Sequence, residues 1–174
     1  MSFFRLVPVC LTLLTACDNN QVAAPPPAEL TSDATGYYCS MTLAEHPGPK
    51  AQIFAGDAAE PAWFPSVRDM FAYTMLPEEN QNIRAIYVSD TGASDDVSII
   101  RPGAWVDAKA ALYVLGSDAT GGMGLPELVP FADRKKADAF AIRHGGEVVT
   151  FEEVTPDHIF TEFEADPPAA GVTM

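Results

Sequence analysis

The stretch Trp63-Phe64-Pro65-Ser66-Val67-Arg68-Asp69-Met70-Phe71-Ala72-Tyr73-Thr74-Met75 sets the architecture of this chain. Trp63, Val67, Met70, Phe71 and Met75 recur at three- and four-residue spacing, the period of a helix with one apolar face. Pro65 suits a first helical turn, where a missing N–H removes no hydrogen bond. A helix is therefore predicted over 62–76, with its methionines filling the core. Upstream, short strands are predicted at 36–41 and 50–55, around Pro47-Gly48-Pro49. Downstream, Ile83-Arg84-Ala85-Ile86-Tyr87-Val88 is rich in strand formers. The order is strand, strand, helix, strand.

The same order returns further on. Strands are predicted at 104–106 and 111–116, and a glycine-rich loop follows at Thr120-Gly121-Gly122-Met123-Gly124. A helix is predicted over 130–144, with Pro130 near its start and Gly145-Gly146 ending it. Glu147 to Val154 reads as a strand. The predicted fold class is α+β: two small related ββαβ units in one compact body. The first unit is taken as 36–95 and the second as 96–160. The acidic segment 161–174 reads as a loose tail.

Ahead of this body, one positive charge, Arg5, precedes an apolar run that is too short for a membrane-spanning helix of about 20 residues. The run ends in Leu14-Thr15-Ala16-Cys17, which looks like a bacterial lipobox. Residues 1–16 are then a signal peptide, and Cys17 carries lipid as the first residue of the mature chain. Two or three acyl chains hold a protein firmly at a membrane, whereas one is marginal. Asp18 after the cysteine points to the inner membrane. Residues 17–35 are small and polar around Pro25-Pro26-Pro27, and read as a flexible tether.

Charge narrows the function. With 24 acidic and 10 basic residues the chain carries a formal −14. A nucleic-acid partner is excluded, because phosphates need a basic face. An electrostatic hold on anionic lipid is excluded on the same ground. No phosphate loop, GxSxG elbow or HExxH helix is present.

The three cysteines differ in kind. Cys10 leaves with the signal, Cys17 is lipidated, and Cys39 remains without a thiol to pair with. It can be an inert buried cysteine or a reactive one. Its neighbours favour chemistry. Met41 lies two residues on, and in an extended segment i and i+2 share a face. Thiolate and thioether are soft donors that select Cu(I) over hard cations, while a structural zinc site wants four thiolate or imidazole ligands. His46 is close enough in sequence to add an imidazole, pointed by the rigid Pro47-Gly48-Pro49 turn. Met123, a flexible thioether among glycines, can close over a metal or pack on the body. His144 reads as a helix-end residue complementing the dipole, and His158 as a surface residue. Cys39 with His46 also resembles a nucleophile pair, although no oxyanion-forming glycine turn lies beside it.

These features together resemble the NosL family of copper-binding lipoproteins. The likeness runs through Cys39-Ser40-Met41, His46-Pro47-Gly48-Pro49-Lys50-Ala51-Gln52-Ile53, Trp105-Val106-Asp107-Ala108, Tyr113-Val114, Gly121-Gly122-Met123-Gly124, Ala139-Phe140 and His144-Gly145-Gly146. It covers roughly 36–154. Ser40 stands where many relatives have glycine. The resemblance implies a non-enzymatic periplasmic Cu(I) chaperone, lipid-anchored through Cys17, that serves the copper centres of nitrous oxide reductase. It further implies docking on an ABC-type membrane maturation complex. Cys39 and Met41 carry over as ligands, His46 is preferred to His144 as the third on sequence proximity, and Met123 is an additional or transfer ligand. A monomer and a copper-bridged dimer both fit. The rival functions are a thiol-dependent lyase or oxidoreductase using Cys39, and a lipoprotein that only binds a protein partner.

Overall fold

A computed structural model describes residues 23–96, 99–122 and 124–160. The elements are β1 (Ala51–Ala55), β2 (Ala62–Phe64), α1 (Val67–Met75), β3 (Ile83–Ser89), β4 (Trp105–Asp107), β5 (Leu112–Leu115), β6 (Val129–Phe131), α2 (Arg134–His144), β7 (Glu147–Thr150) and α3 (Pro156–Phe160). Two antiparallel sheets form, in the orders β2-β1-β3-β4 and β6-β5-β7. In each, the first strand is central, its hairpin partner lies on one side, and a helix returns the chain to the other side. The ββαβ connectivity therefore occurs twice, as the sequence predicts, but with different strands in some places.

Both helices start later than predicted, for one reason. A residue before proline is pushed into extended backbone, so Phe64-Pro65 ends a strand instead of opening a helix. Trp63 pairs with Gln52 across the β1–β2 hairpin and does not lie on a helix face. The helix begins only after Ser66, whose hydroxyl accepts from the Asp69 N–H at 3.1 Å. Likewise Pro130 sits in β6 opposite Tyr113, tolerated because β6 is an edge strand. Asp133 then caps α2 by accepting from Lys136 N–H at 3.0 Å. Segment 36–41 is a turn-bearing loop, not a strand. Strand β4, predicted to open the second unit, pairs with β3 and completes the first sheet. The last predicted strand stops at Thr150, where a short turn over Phe151–Glu153 begins.

The core explains why the molecule holds together as one body. Val67, Met70 and Phe71 of α1 are fully buried with Ile53 and Val88 of the first sheet. They share that cluster with Tyr113, Val149, Val154 and Ile159 from the second half. Phe71 lies 5.1 Å from the Tyr113 ring and 4.8 Å from that of Phe151. Each such side chain contributes about 1.5–3 kcal/mol by burial. Met70 and Met75 are core or core-edge residues, as their spacing implies. A smaller cluster of Val114, Val129, Phe131, Ala137 and Phe140 fills the space under α2.

Residues 25–35, read from sequence as part of a flexible tether, are bound to the body. The Ala28 backbone and the Gln52 amide exchange two hydrogen bonds, at 2.8 and 2.9 Å. Tyr87 donates its hydroxyl to Pro25 O at 2.7 Å, and Gly103 N–H donates to Glu29 at 3.1 Å. A proline run offers carbonyls without competing N–H donors, which suits it to this docking. Cys17 and the tail 161–174 lie outside the described residues. Among the described residues no helix is long and apolar enough to cross a membrane.

Candidate metal centre

Cys39 and Met41 lie on a closed loop. Thr35 and Thr42 form an antiparallel bridge at its base. Inside it, Gly36 N–H donates to Met41 O at 2.9 Å and Ser40 N–H donates to Gly36 O at 2.8 Å. Ser40 takes φ 55, the left-handed region that disfavours residues with a Cβ. The geometry of an extended i, i+2 pair is therefore replaced by a tight turn that carries both sulfur residues, each half-buried. The loop is fastened to β2, where Tyr37 N–H donates to Trp63 O at 2.7 Å.

Cys39 is a free thiol. Its sulfur rests on Gly36, where an added Cβ would stand 2.6 Å from Sγ and 3.2 Å from Pro65 Cδ. Only glycine leaves room there. Among the described residues no side chain hydrogen-bonds to Cys39 Sγ, so no base is in contact with the thiol as a nucleophile pair requires. On the outer side, Tyr37 and Tyr38 are 50% and 46% exposed. Both donate their hydroxyls to the Glu79 carboxylate, at 3.1 and 2.9 Å. Both phenols are held above their ordinary range, Tyr37 by the Glu79 hydrogen bond and Tyr38 by burial and then Glu79.

His46 follows the short turn Leu43–Glu45 and is half-buried. Its ring has no hydrogen-bond partner among the described residues. The turn beyond it is tied from below by Lys50, whose ammonium donates to Pro47 O at 3.1 Å and Gly48 O at 2.6 Å. Lys50 is fully buried, and burial lowers its pKa to about 8 against the raising effect of Glu127. Gly122 packs on His46 so closely that a Cβ there would be 2.8 Å from His46 Cβ. The same Cβ would lie 3.4 Å from Pro65 O.

Pro65 is thus the common neighbour: its ring faces the Cys39 loop and its carbonyl faces Gly122 beside His46. The structure brings the Cys39 loop, His46 and the glycine-rich loop to one end of the molecule, at the entry to α1. Met123, next to Gly122, lies outside the described residues. The other histidines have partners elsewhere. His144 is hydrogen-bonded to Asp118 at 2.9 Å and stacked on Phe140 at 4.2 Å. His158 Nδ1 accepts from Thr155 N–H at 3.1 Å. Among the described residues no three His, Cys, Asp or Glu side chains converge as a metal site. The Met41 thioether beside the Cys39 thiol is a soft donor of the kind that suits Cu(I).

Several residues around the site escape a sequence reading. Glu127 is fully buried. Its Oε1 accepts from Val67 N–H, Arg68 N–H and Leu128 N–H at 3.1, 3.1 and 2.9 Å. Oε2 has no partner among the described residues and would lie 2.5 Å from a Cβ on Gly121. Burial raises its pKa to about 8. Its contacts lie some 60 residues back along the chain, and no local pattern marks them. Glu79 is likewise distant in sequence, 42 and 41 residues from Tyr37 and Tyr38. Gly36 gives no signal beyond being a glycine near the cysteine.

Comparison with known proteins places this geometry. The NosL family model matches residues 27–159. The copper-binding lipoprotein NosL of Achromobacter cycloclastes is 42% identical over 163 residues, 92% of this chain and 84% of that protein. The copper-binding lipoprotein NosL of Stutzerimonas stutzeri is 34% identical over 149 residues, 81% of this chain and 73% of that protein. The crystal structure of the copper chaperone NosL from Shewanella denitrificans matches with a TM-score of 0.68 at 30% identity, covering 76% of this chain and 98% of that one. These relatives are named for copper binding and chaperoning, not for catalysis. With the model spanning both ββαβ units and the candidate ligands, the chain belongs to the NosL family.

Proposed function

We propose that this protein is a Cu(I) carrier, with copper as its cargo. The observation that carries the reading is the free, half-buried Cys39 on a closed loop with Met41, at the same end as His46, whose ring has no hydrogen-bond partner among the described residues. The names of the relatives support it. Cys39 supplies a thiolate after losing its proton on binding, Met41 a thioether and His46 an imidazole. A three-coordinate site of this kind binds Cu(I) and leaves one side open, where a partner's ligand enters and takes the ion by exchange. Met123 is proposed as a further or transfer ligand.

Anaerobic Cu(I) titration against a competing chelator tests the reading. Cys39→Ala lowers affinity by more than about a hundredfold, or about 2.7 kcal/mol. Undiminished affinity in that variant overturns the site. The finer proposals follow the family resemblance. Lipid on Cys17 holds the protein at the periplasmic side of the inner membrane, where it meets an ABC-type maturation complex and supplies nitrous oxide reductase. Cys17→Ala moves the protein from the membrane to the soluble fraction, and a membrane-bound variant rejects the anchor. Mixing the loaded protein with copper-free reductase checks the destination, and copper that stays on the carrier rejects it.

A further inference from the structure

Two buried ionisable side chains sit beneath the candidate site, and neither is a proposed ligand. Lys50 is wholly enclosed at the entry to β1, yet its ammonium reaches back to the carbonyls of Pro47 and Gly48. Those carbonyls belong to the turn that immediately follows His46. Glu127 is wholly enclosed on the far side. One oxygen gathers the first N–H groups of α1, and the other lies against Gly121. Gly121 packs 3.6 Å from an ideal Cβ on Gly48, and Gly122 packs on His46 itself. His46 is therefore flanked by two backbone segments: the turn at Pro47 and Gly48, which Lys50 hydrogen-bonds, and the glycine loop, against which the Glu127 carboxyl packs.

Burying a charge is costly, and an apolar residue of similar volume often serves stability as well or better. An apolar side chain does not hold two carbonyls in a fixed direction. Lys50 does so with hydrogen bonds from a charged donor, which are stronger than neutral ones. Gly48 at φ 88 and the flanking prolines leave that turn few other ways to move.

We propose that Lys50 and Glu127 are positioning residues for His46, setting the imidazole of the copper site from the turn after it and from the glycine loop against it. This rests on the Cu(I)-carrier reading. Neither residue touches the ion; both act through His46.

The test is a double-mutant cycle in the full-length protein, with Cu(I) as the probe. Lys50→Met keeps the aliphatic stem and removes the ammonium. Glu127→Gln keeps the shape and removes the ionisable carboxyl. Each variant lowers Cu(I) affinity about tenfold in the otherwise native protein. X-ray absorption shows the nitrogen neighbour of copper weakened and the sulfur neighbours retained. In a His46→Ala background neither change lowers affinity further, because the residue through which they act is gone. Unchanged affinity and an intact nitrogen shell in both variants overturn the inference, and so does an equal further loss in the His46→Ala background. Should Lys50→Met not fold, the Glu127→Gln arm of the cycle decides alone. Cys39→Ala separates the two levels. If it leaves affinity intact, the carrier reading itself fails. If it abolishes binding while the positioning variants bind like wild type, only this inference fails.

Discussion

The two helices begin alike and end up in different surroundings. Each follows a short edge strand with a proline in it or directly after it, and an N-cap with a short side chain. Each entry is also gripped by a carboxylate from the other half of the chain. Glu127 accepts from Val67 and Arg68 N–H at the start of α1, and Asp90 accepts from Ala132 N–H just before α2, at 3.1 Å. Yet α1 is packed between both halves, whereas the buried face of α2 lies on its own small sheet and only Lys136 reaches the first half, donating to Gly92 O. Ile142 on α2 is 85% exposed, and Arg134, Lys135, Lys136 and Arg143 all face water. The candidate metal centre gathers at the entry to α1. Repeated connectivity has therefore given one helix the shared core and the candidate centre, and left the other on the surface.

Core truncation tests this asymmetry with the largest expected effect. Phe71→Ala removes a ring shared by both halves and costs about 4–5 kcal/mol, the upper range for such changes. Phe140→Ala, in the satellite cluster, costs about 3 kcal/mol. Urea unfolding measures both. Equal losses would mean that the two helices carry the fold equally.

The two gripping carboxylates give the next largest contrast, and it depends on pH. Glu127 titrates near 8 in the folded protein, against 4.5 for its ordinary value, because burial disfavours its charge. A group with a raised folded pKa contributes stability that is fully present below the unfolded value and lost as pH rises through the folded one. Wild type therefore weakens between pH 4.5 and pH 8 from this source, and Glu127→Gln does not. The variant gains on wild type across that interval. Asp90, by contrast, is half-exposed where Glu127 is enclosed. Parallel thermal melts at pH 5 and pH 8 settle it; a gap that stays constant for Glu127→Gln refutes the assignment.

The same asymmetry explains what the sequence made legible. Helical spacing located α1 and its core face, and ββαβ order was visible twice, because period and order are local properties. Spacing alone places the helix starts too early, because proline suits a first helical turn and an edge strand alike, and here Pro65 follows β2 and Pro130 lies within β6. Strand β4 was given to the wrong sheet because strand pairing is a long-range choice. Cys39, Met41 and His46 stand out in sequence as candidates because a thiol, a thioether and an imidazole in a short span carry their own chemical meaning. Lys50 as an anchor, Glu127 under the glycine loop and Glu79 behind the tyrosines were not. Their partners are set by tertiary packing, and a lone Lys or Glu in sequence reads as surface.

The smallest effect concerns how the two ends turn the chain. Beyond α2, the turn uses Gly145 at φ 76 and Gly146 at φ 89, residues for which left-handed backbone carries no Cβ penalty. At the metal end the corresponding demand falls on Ser40, at φ 55 between Cys39 and Met41. A non-glycine residue there costs about 1–2 kcal/mol, and the greater freedom of glycine in the unfolded chain returns part of that. Ser40→Gly should therefore stabilise the fold by about 0.5–1 kcal/mol, raising Tm by roughly 2 °C for a chain of this length. The loop hydrogen bonds that join Gly36, Ser40 and Met41 are all backbone, so the substitution removes none of them and Cu(I) affinity stays within about threefold. Among the described residues Ser40 alone carries a positive φ without being glycine, and it lies between the two candidate sulfur ligands. A Ser40→Gly protein that melts lower than wild type would show that the serine side chain, and not the backbone angle, decides this position.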